Sequence, residues 1–94
     1  IYLHPASALR EVAEVEDPKS GRRMKVYTTL PGIQFYAGNC IVEQSGKGGV
    51  HYGPRPGLCL ETHYFPDSIH HPEFEQAVFG AGKVYESETI YAFE

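Results

Sequence analysis

Glu61 is the residue of this sequence best placed to act as a general base. It follows residues 57–60, Gly-Leu-Cys-Leu, an apolar run typical of a buried strand. A carboxylate at the end of such a strand is partly desolvated, so we expect its pKa to rise toward neutral, which suits proton abstraction. A surface glutamate at a strand end explains the same pattern, and the local spacing alone favours that simpler interpretation.

Gln34 is a candidate for binding a hydroxylated ligand. It lies between Ile33 and Phe35, directly after the turn residues Pro31 and Gly32. Its side-chain amide can both donate and accept hydrogen bonds, as sugar hydroxyls require. The alternative is a glutamine that satisfies the backbone of the turn, and the local sequence favours that alternative.

His63 stands two residues after Glu61, so the two side chains share a face if the strand continues. A Glu-x-His pair could exchange protons or supply half of a metal site. His70 and His71 are adjacent and should point to opposite sides of an extended chain, which is a poor arrangement for chelation. No Cys-x-x-Cys pair is present, and we expect no metal site.

Length and composition limit the functions that the chain can serve. Its 94 residues make at most one domain, and a formal net charge of −4 argues against a nucleic-acid partner. No run of 18 apolar residues occurs, so we expect no membrane partner. Residues 1–10 lack a signal-peptide pattern, which favours a cytoplasmic location. Cys40 and Cys59 are too few for a disulfide framework, and we expect both to be free and buried.

Turn signals and alternating polarity predict an antiparallel β layout. Two alternating segments flank the sequence Asp-Pro-Lys-Ser-Gly at residues 17–21 and predict a hairpin. Each of its strands should carry a mainly apolar face. These faces are Leu9, Glu11, Ala13 and Val15 in the first strand, and Met24, Val26 and Thr28 in the second.

Further strands are expected at residues 33–42, 58–62 and 84–93. Between them lie a long glycine-rich loop at residues 45–56 and an irregular segment at residues 65–74. Ten glycines and seven prolines leave little room for a long helix. Four or five strands without a helix make an all-β, antiparallel fold.

Three stretches, taken in order, resemble one family, the aldose 1-epimerases or galactose mutarotases. They are VYTTLPGIQFYAGN at residues 26–39, GLCLETHYFPDSIHHPEF at residues 57–74 and VYESETIYAF at residues 84–93. Each motif alone is moderately specific for this family, and the three motifs in this order are strongly specific for it. The resemblance covers nearly the whole chain and is to the C-terminal part of the family's members.

The resemblance implies a large antiparallel β-sandwich of which residues 1–94 form the C-terminal segment. It also implies interconversion of the α and β anomers of an aldose without cofactor or metal. In that reaction a glutamate takes the proton of the C1 hydroxyl, a histidine protonates the ring oxygen, and the opened ring recloses after rotation. The glutamate base falls on Glu61 in the LET motif, and the sugar-binding glutamine falls on Gln34 in the PGxQFY motif.

The resemblance also implies what this chain lacks. None of its five histidines falls on the family's acid histidine, which belongs to the N-terminal part of its members. His63 stands where the family commonly has glutamine, so it could border the pocket without being the acid. We therefore expect this segment to be inactive alone. Its expected partners are an aldose of the glucose or galactose type and the complementary N-terminal part of the same protein.

Two other functions stay open on the sequence alone. One is a carbohydrate-binding or structural β-module that has lost catalysis. The other is an unrelated enzyme that uses Glu61 and His63 in a small site of its own.

Overall fold

The computed structural model describes residues 8–38, 44–52 and 57–94. Within these ranges the chain forms seven strands, two short 3-10 turns and no α-helix. The strands are β1 (Arg10–Glu16), β2 (Arg23–Thr28), β3 (Gly32–Tyr36), β4 (Gln44–Ser45), β5 (His51–Tyr52), β6 (Cys59–His63) and β7 (Thr89–Phe93). Every strand pair is antiparallel, which confirms the predicted fold class. No helix in this part of the chain is long and apolar enough to cross a membrane.

The strands form one three-stranded sheet, in the order β1-β2-β7, and two pairs, β3-β6 and β4-β5. The predicted hairpin of β1 and β2 is confirmed. Its turn is closed by two backbone hydrogen bonds, from Gly21 N to Asp17 O and from Asp17 N to Arg22 O. Gly21 has φ +75°, a conformation that side chains with a Cβ rarely adopt.

A β-bulge in β1 corrects the predicted apolar face of that strand. Glu11 pairs with Tyr27, but the next pair is Ala13 with Val26, so one residue of β1 is extra. The bulge moves Glu11 off the face of Ala13 and Val15, and Arg10, paired with Thr28, takes its place. A carboxylate therefore no longer interrupts the apolar face.

The last strand is shorter than the alternation at residues 84–93 predicts. β7 pairs with β2 only from Thr89 to Phe93. Beyond Thr28 the chain of β2 bends away into Thr29 and Leu30, so residues 84–88 lack a β-ladder partner there. Two hydrogen bonds between Thr29 and Glu88 mark the point where the strands part.

The segments at residues 33–42 and 45–56 also differ from the prediction. β3 ends at Tyr36, and Gly38 follows with φ +75°. Part of the expected loop is a small hairpin, because β4 and β5 pair across a 3-10 turn at Lys47–Gly49. Gly48 and Gly49 both have positive φ there, which lets the chain reverse within a few residues. Residues 39–43 and 53–56 lie outside the described residues.

Hydroxyl contacts join the β3-β6 pair to the three-stranded sheet. Thr89 Oγ1 on β7 lies 3.1 Å from Thr28 Oγ1 on β2 and 2.9 Å from Thr62 Oγ1 on β6. Tyr91 donates from its hydroxyl to the backbone oxygen of Leu60, 2.7 Å away. The side of β6 that carries Thr62 therefore faces β7, and its other side is turned away from the three-stranded sheet.

The core between the two sheets is small. Among the described residues, the buried hydrophobic side chains are Val26, Leu30 and Ile33, and Thr28 is buried with them. Thr28 Oγ1 accepts a hydrogen bond from Leu30 N at 3.1 Å and also contacts Thr89 Oγ1, so both partners satisfy its hydroxyl inside the core. On the outer side of the hairpin, Arg23 forms ion pairs with Glu14, Glu16 and Glu94 at 3.1, 3.6 and 3.9 Å.

Candidate active site

The structure places Gln34 and Glu61 side by side. Gln34 on β3 pairs directly with Glu61 on β6 in the antiparallel register. Directly opposed residues of an antiparallel pair share a face, with Cβ atoms about 4.5–5.5 Å apart. The amide and the carboxylate, predicted separately from the sequence, therefore meet on the side of β6 that is turned away from the three-stranded sheet.

Both side chains are exposed on this face. The Gln34 amide donates to the backbone oxygen of Phe35 at 3.1 Å, so it does not satisfy the preceding turn. Glu61 stands at the middle of β6 rather than at the end of a buried strand. Its exposed position in this chain differs from the buried strand end that the sequence predicted.

The register defines the rest of this surface, which we call the β3-β6 face: Gly32, Gln34, Tyr36, Cys59, Glu61 and His63. β6 continues through His63, which confirms that His63 and Glu61 share a face. Tyr36 pairs with Cys59 at the other end of the face. Tyr36 is not among the residues predicted from the sequence, although its spacing of two residues from Gln34 was the available signal.

Cys59 is free and exposed, which corrects the expectation that it is buried. The apolar run at residues 58–60 suggested a covered strand, but alternation turns Cys59 to the same exposed face as Glu61. Cys40 lies outside the described residues.

His63 is held at the edge of the β3-β6 face by an aromatic neighbour. The ring of Phe65 meets the imidazole edge-on, with centroids 6.5 Å apart and an interplanar angle of 89°. Phe65 lies against Gly32, where an added Cβ would approach its ring to 2.8 Å. Phe74 also packs against Phe65, with ring centroids 5.0 Å apart. The absence of a side chain at Gly32 thus makes room for the ring that positions His63.

The other pair of histidines forms a separate surface cluster. A 3-10 turn at Ser68–His70 replaces the extended chain that the sequence predicted. Consequently His70 and His71 both contact Asp67, His70 through Nδ1 and His71 through Nε2 at 3.5 Å, instead of pointing apart. Within the described ranges, no three His, Cys, Asp or Glu side chains are grouped as metal ligands.

An open cleft of about 850 Å³ lies elsewhere and includes neither Gln34 nor Glu61. Its lining includes Tyr64, Tyr85 and Glu75. Burial raises the pKa of the Tyr64 hydroxyl, and the negative charge of Glu75 raises it further. The cleft has carboxylates but lacks the paired amide and carboxylate of the β3-β6 face.

Comparison with known proteins gives the family of the chain. The model of the aldose 1-epimerase family matches residues 1–92. The chain belongs to the aldose 1-epimerase family. It is similar to galactose mutarotase of Mus musculus, with 44% identity over 86% of this chain and 24% of the relative. Galactose mutarotase of Homo sapiens shares 40% identity over 86% of this chain and 24% of its own length. Aldose 1-epimerase of Escherichia coli K12 shares 41% identity over 76% of this chain and 21% of its own.

This aldose 1-epimerase family chain spans about a quarter of the length of the curated relatives that it matches. Its β3-β6 face offers a carboxylate that can accept a proton beside an amide that can bind hydroxyls. Within the described residues, Glu61 makes no hydrogen bond or ion pair that would compete for its carboxylate.

Proposed function

We propose that this chain is the C-terminal segment of an aldose 1-epimerase that interconverts the α and β anomers of an aldohexose. The direct pairing of Gln34 and Glu61 carries the proposal, because it brings a proton acceptor and a hydroxyl-binding amide to one exposed face. The names of the relatives, galactose mutarotase and aldose 1-epimerase, support an aldose such as galactose as the substrate.

Glu61 is the general base in this proposal. Its carboxylate takes the proton of the C1 hydroxyl while the carbonyl forms at C1 and the bond from C1 to the ring oxygen breaks. The ring oxygen takes a proton from an acid. Rotation about the bond between C1 and C2, followed by the reverse steps, gives the other anomer and restores both protonation states.

Gln34 holds the sugar beside that carboxylate. Its amide N–H can donate to a hydroxyl oxygen, and its carbonyl can accept from a hydroxyl. The hydrogen bond to the Phe35 backbone leaves the second amide hydrogen and the side-chain oxygen for a ligand. An amide fixed opposite Glu61 would orient the sugar without competing for the proton.

The acid is supplied by the complementary part of the protein. The resemblance assigns it to a histidine that none of the five histidines of this chain matches. The 94-residue chain is therefore expected to lack turnover by itself, because one member of an acid/base pair leaves most of the catalytic contribution unrealised. We also propose a cytoplasmic location for the whole protein.

The test of this proposal is polarimetric mutarotation of α-D-glucose and α-D-galactose by the longer protein and its Glu61→Gln variant. Glutamine keeps the shape of the side chain and removes the proton acceptor, so kcat should fall by on the order of 10²–10⁴. Glu75→Gln is the matched control, because Glu75 lines the separate cleft. A Glu61→Gln variant with a kcat within about threefold of the parent would contradict the proposal, since general base catalysis is worth far more.

A further inference from the structure

We propose that His63 contacts the sugar and determines specificity at the β3-β6 face, an inference that rests on the proposed function. It assigns the imidazole to a ring hydroxyl other than the one at C1. The residue acts in binding and not as the acid that protonates the ring oxygen.

The position of His63 along β6 places it within reach of a sugar held at Glu61. His63 and Glu61 are separated by one residue of the same strand and lie on the same face. Two strand positions span about 6.6 Å. A pyranose whose C1 hydroxyl lies at Glu61 therefore brings a hydroxyl from farther round its ring to the imidazole.

The His63 side chain is partly buried and packed against an aromatic ring. The side chain is half-buried, whereas Gln34 and Glu61 are exposed, so His63 borders the β3-β6 face at one end. Phe65 meets its ring edge-on, and Phe65 is itself packed against Phe74 and Gly32. A ring fixed by packing loses little freedom when it binds, which favours discrimination between sugars that differ at one hydroxyl.

The imidazole of His63 has the hydrogen-bonding groups that a sugar hydroxyl needs. A neutral imidazole offers one donor and one acceptor on a rigid ring, matching a hydroxyl that needs both. A site that hydrogen-bonds a particular hydroxyl rejects an epimer that leaves its polar groups unpaired. Glutamine is the nearest substitute, because its amide also offers a donor and an acceptor but on a flexible side chain.

The experiment measures kcat and KM for glucose and galactose by polarimetry in the longer protein with His63→Ala and His63→Gln. We expect His63→Ala to raise KM for at least one of the two sugars by roughly twofold to tenfold, the value of one neutral hydrogen bond, with little change in kcat. We expect His63→Gln to recover only part of that loss and to leave the ratio of the two KM values different from that of the parent. His70→Ala, an exposed histidine on the 3-10 turn, is the control and should leave both KM values unchanged.

Unchanged KM values for both sugars in His63→Ala, or a fall in kcat without a rise in KM, would overturn the inference. If His63→Ala fails to fold, His63→Gln decides, because an unchanged ratio of the two KM values would also overturn it. Glu61→Gln in the same assay separates the two proposals. An active Glu61→Gln variant contradicts the proposed function. An inactive Glu61→Gln variant, together with His63 variants whose KM values equal those of the parent, contradicts only the assignment of His63.

Discussion

Gln34 and Glu61 contribute to the proposed reaction in different ways, although they are partners across two strands. A carboxylate that accepts a proton acts on the transition state, so its removal should appear in kcat. The removal of an amide that binds hydroxyls in both the ground state and the transition state should change mainly KM. Kinetic measurements on single variants can therefore assign the two roles separately.

Gln34→Ala should raise KM by roughly twofold to tenfold and affect kcat less than Glu61→Gln does. The loss of one neutral hydrogen bond is worth about 0.5–1.5 kcal/mol, which corresponds to that range. Polarimetric kinetics on the longer protein with glucose and galactose would measure it. If both KM and kcat stay at the parental values, Gln34 does not belong to the site.

Cys59 should react with a thiol reagent in the folded 94-residue chain, since it is exposed on the β3-β6 face. A Cys59→Ser variant should lose this fast reaction. After unfolding without reductant, Cys40 and Cys59 should titrate as two free thiols. Fewer than two would indicate a disulfide and an oxidising compartment.

At the scale of the elements, the β3-β6 pair is joined to the three-stranded sheet through Thr89. Its hydroxyl lies between those of Thr28 and Thr62, which belong to the two different sheets. Thr28 is fully buried, so it depends on these protein partners. This contact fixes β6, and with it Glu61, relative to the rest of the fold.

Thr89→Val should destabilise the longer protein by about 1–3 kcal/mol, because it leaves the hydroxyls of Thr28 and Thr62 without their shared partner. Denaturant unfolding followed by circular dichroism would measure the change. Thr89→Ser keeps the hydroxyl and should lose less stability. A valine variant as stable as the serine variant would show that this hydroxyl contact is unimportant.

The turn between β1 and β2 should depend on the charge of Asp17. The Ser20 hydroxyl and then the Lys19 backbone N–H stabilise the carboxylate and hold the pKa of Asp17 below its ordinary value of 3.8. A lowered folded-state pKa gives stability that is present above that ordinary value and lost as the pH falls through the lower one. The stability advantage of the parent over Asp17→Asn should therefore shrink in acid.

Thermal unfolding of both proteins between about pH 7 and about pH 2 would test this dependence. A difference in Tm that stays constant across the range would contradict it. Because Asp17 is fully exposed, the effect should also weaken at high salt.

The elements show why alternation predicts some strands well and others poorly. The hairpin of β1 and β2 was predictable, because a Pro/Gly turn and two alternating segments lie next to one another. Residues 84–88 alternate equally well, but they have no ladder partner once β2 ends at Thr28. The bulge that removes Glu11 from the apolar face also depends on pairing, which a single strand's pattern does not contain.

The candidate site was predictable as two separate residues and not as a pair. Resemblance to a family identified Gln34 and Glu61, while the local sequence alone favoured a turn-satisfying glutamine and a surface glutamate. Their pairing depends on the register of β3 with β6, two strands that are distant in sequence. The predicted burial of Cys59 failed for the same reason, since the apolar run did not reveal which face of β6 is covered.

At the scale of the whole molecule, the chain is open rather than closely packed. Its radius of gyration is 16.6 Å, whereas a compact domain of this length has about 12 Å. Its accessible surface is 7066 Å², against about 5,400 Å² for a folded monomer of this mass. Large apolar side chains such as Phe93, Val84 and Ile69 are 78%, 80% and 65% exposed. These surfaces fit the proposal that the chain packs against a complementary part of the same protein.

Restoration of mutarotation from two separately expressed parts would show whether the 94-residue chain supplies the base and the complementary part the acid. The 94-residue chain, as parent or as Glu61→Gln, is combined with the complementary N-terminal part, and association is checked by light scattering. We predict no turnover by the 94-residue chain alone, mutarotation of galactose or glucose by the parental combination, and association without turnover by the Glu61→Gln combination. Full activity of the isolated chain, or equal activity of the two combinations, would contradict the account.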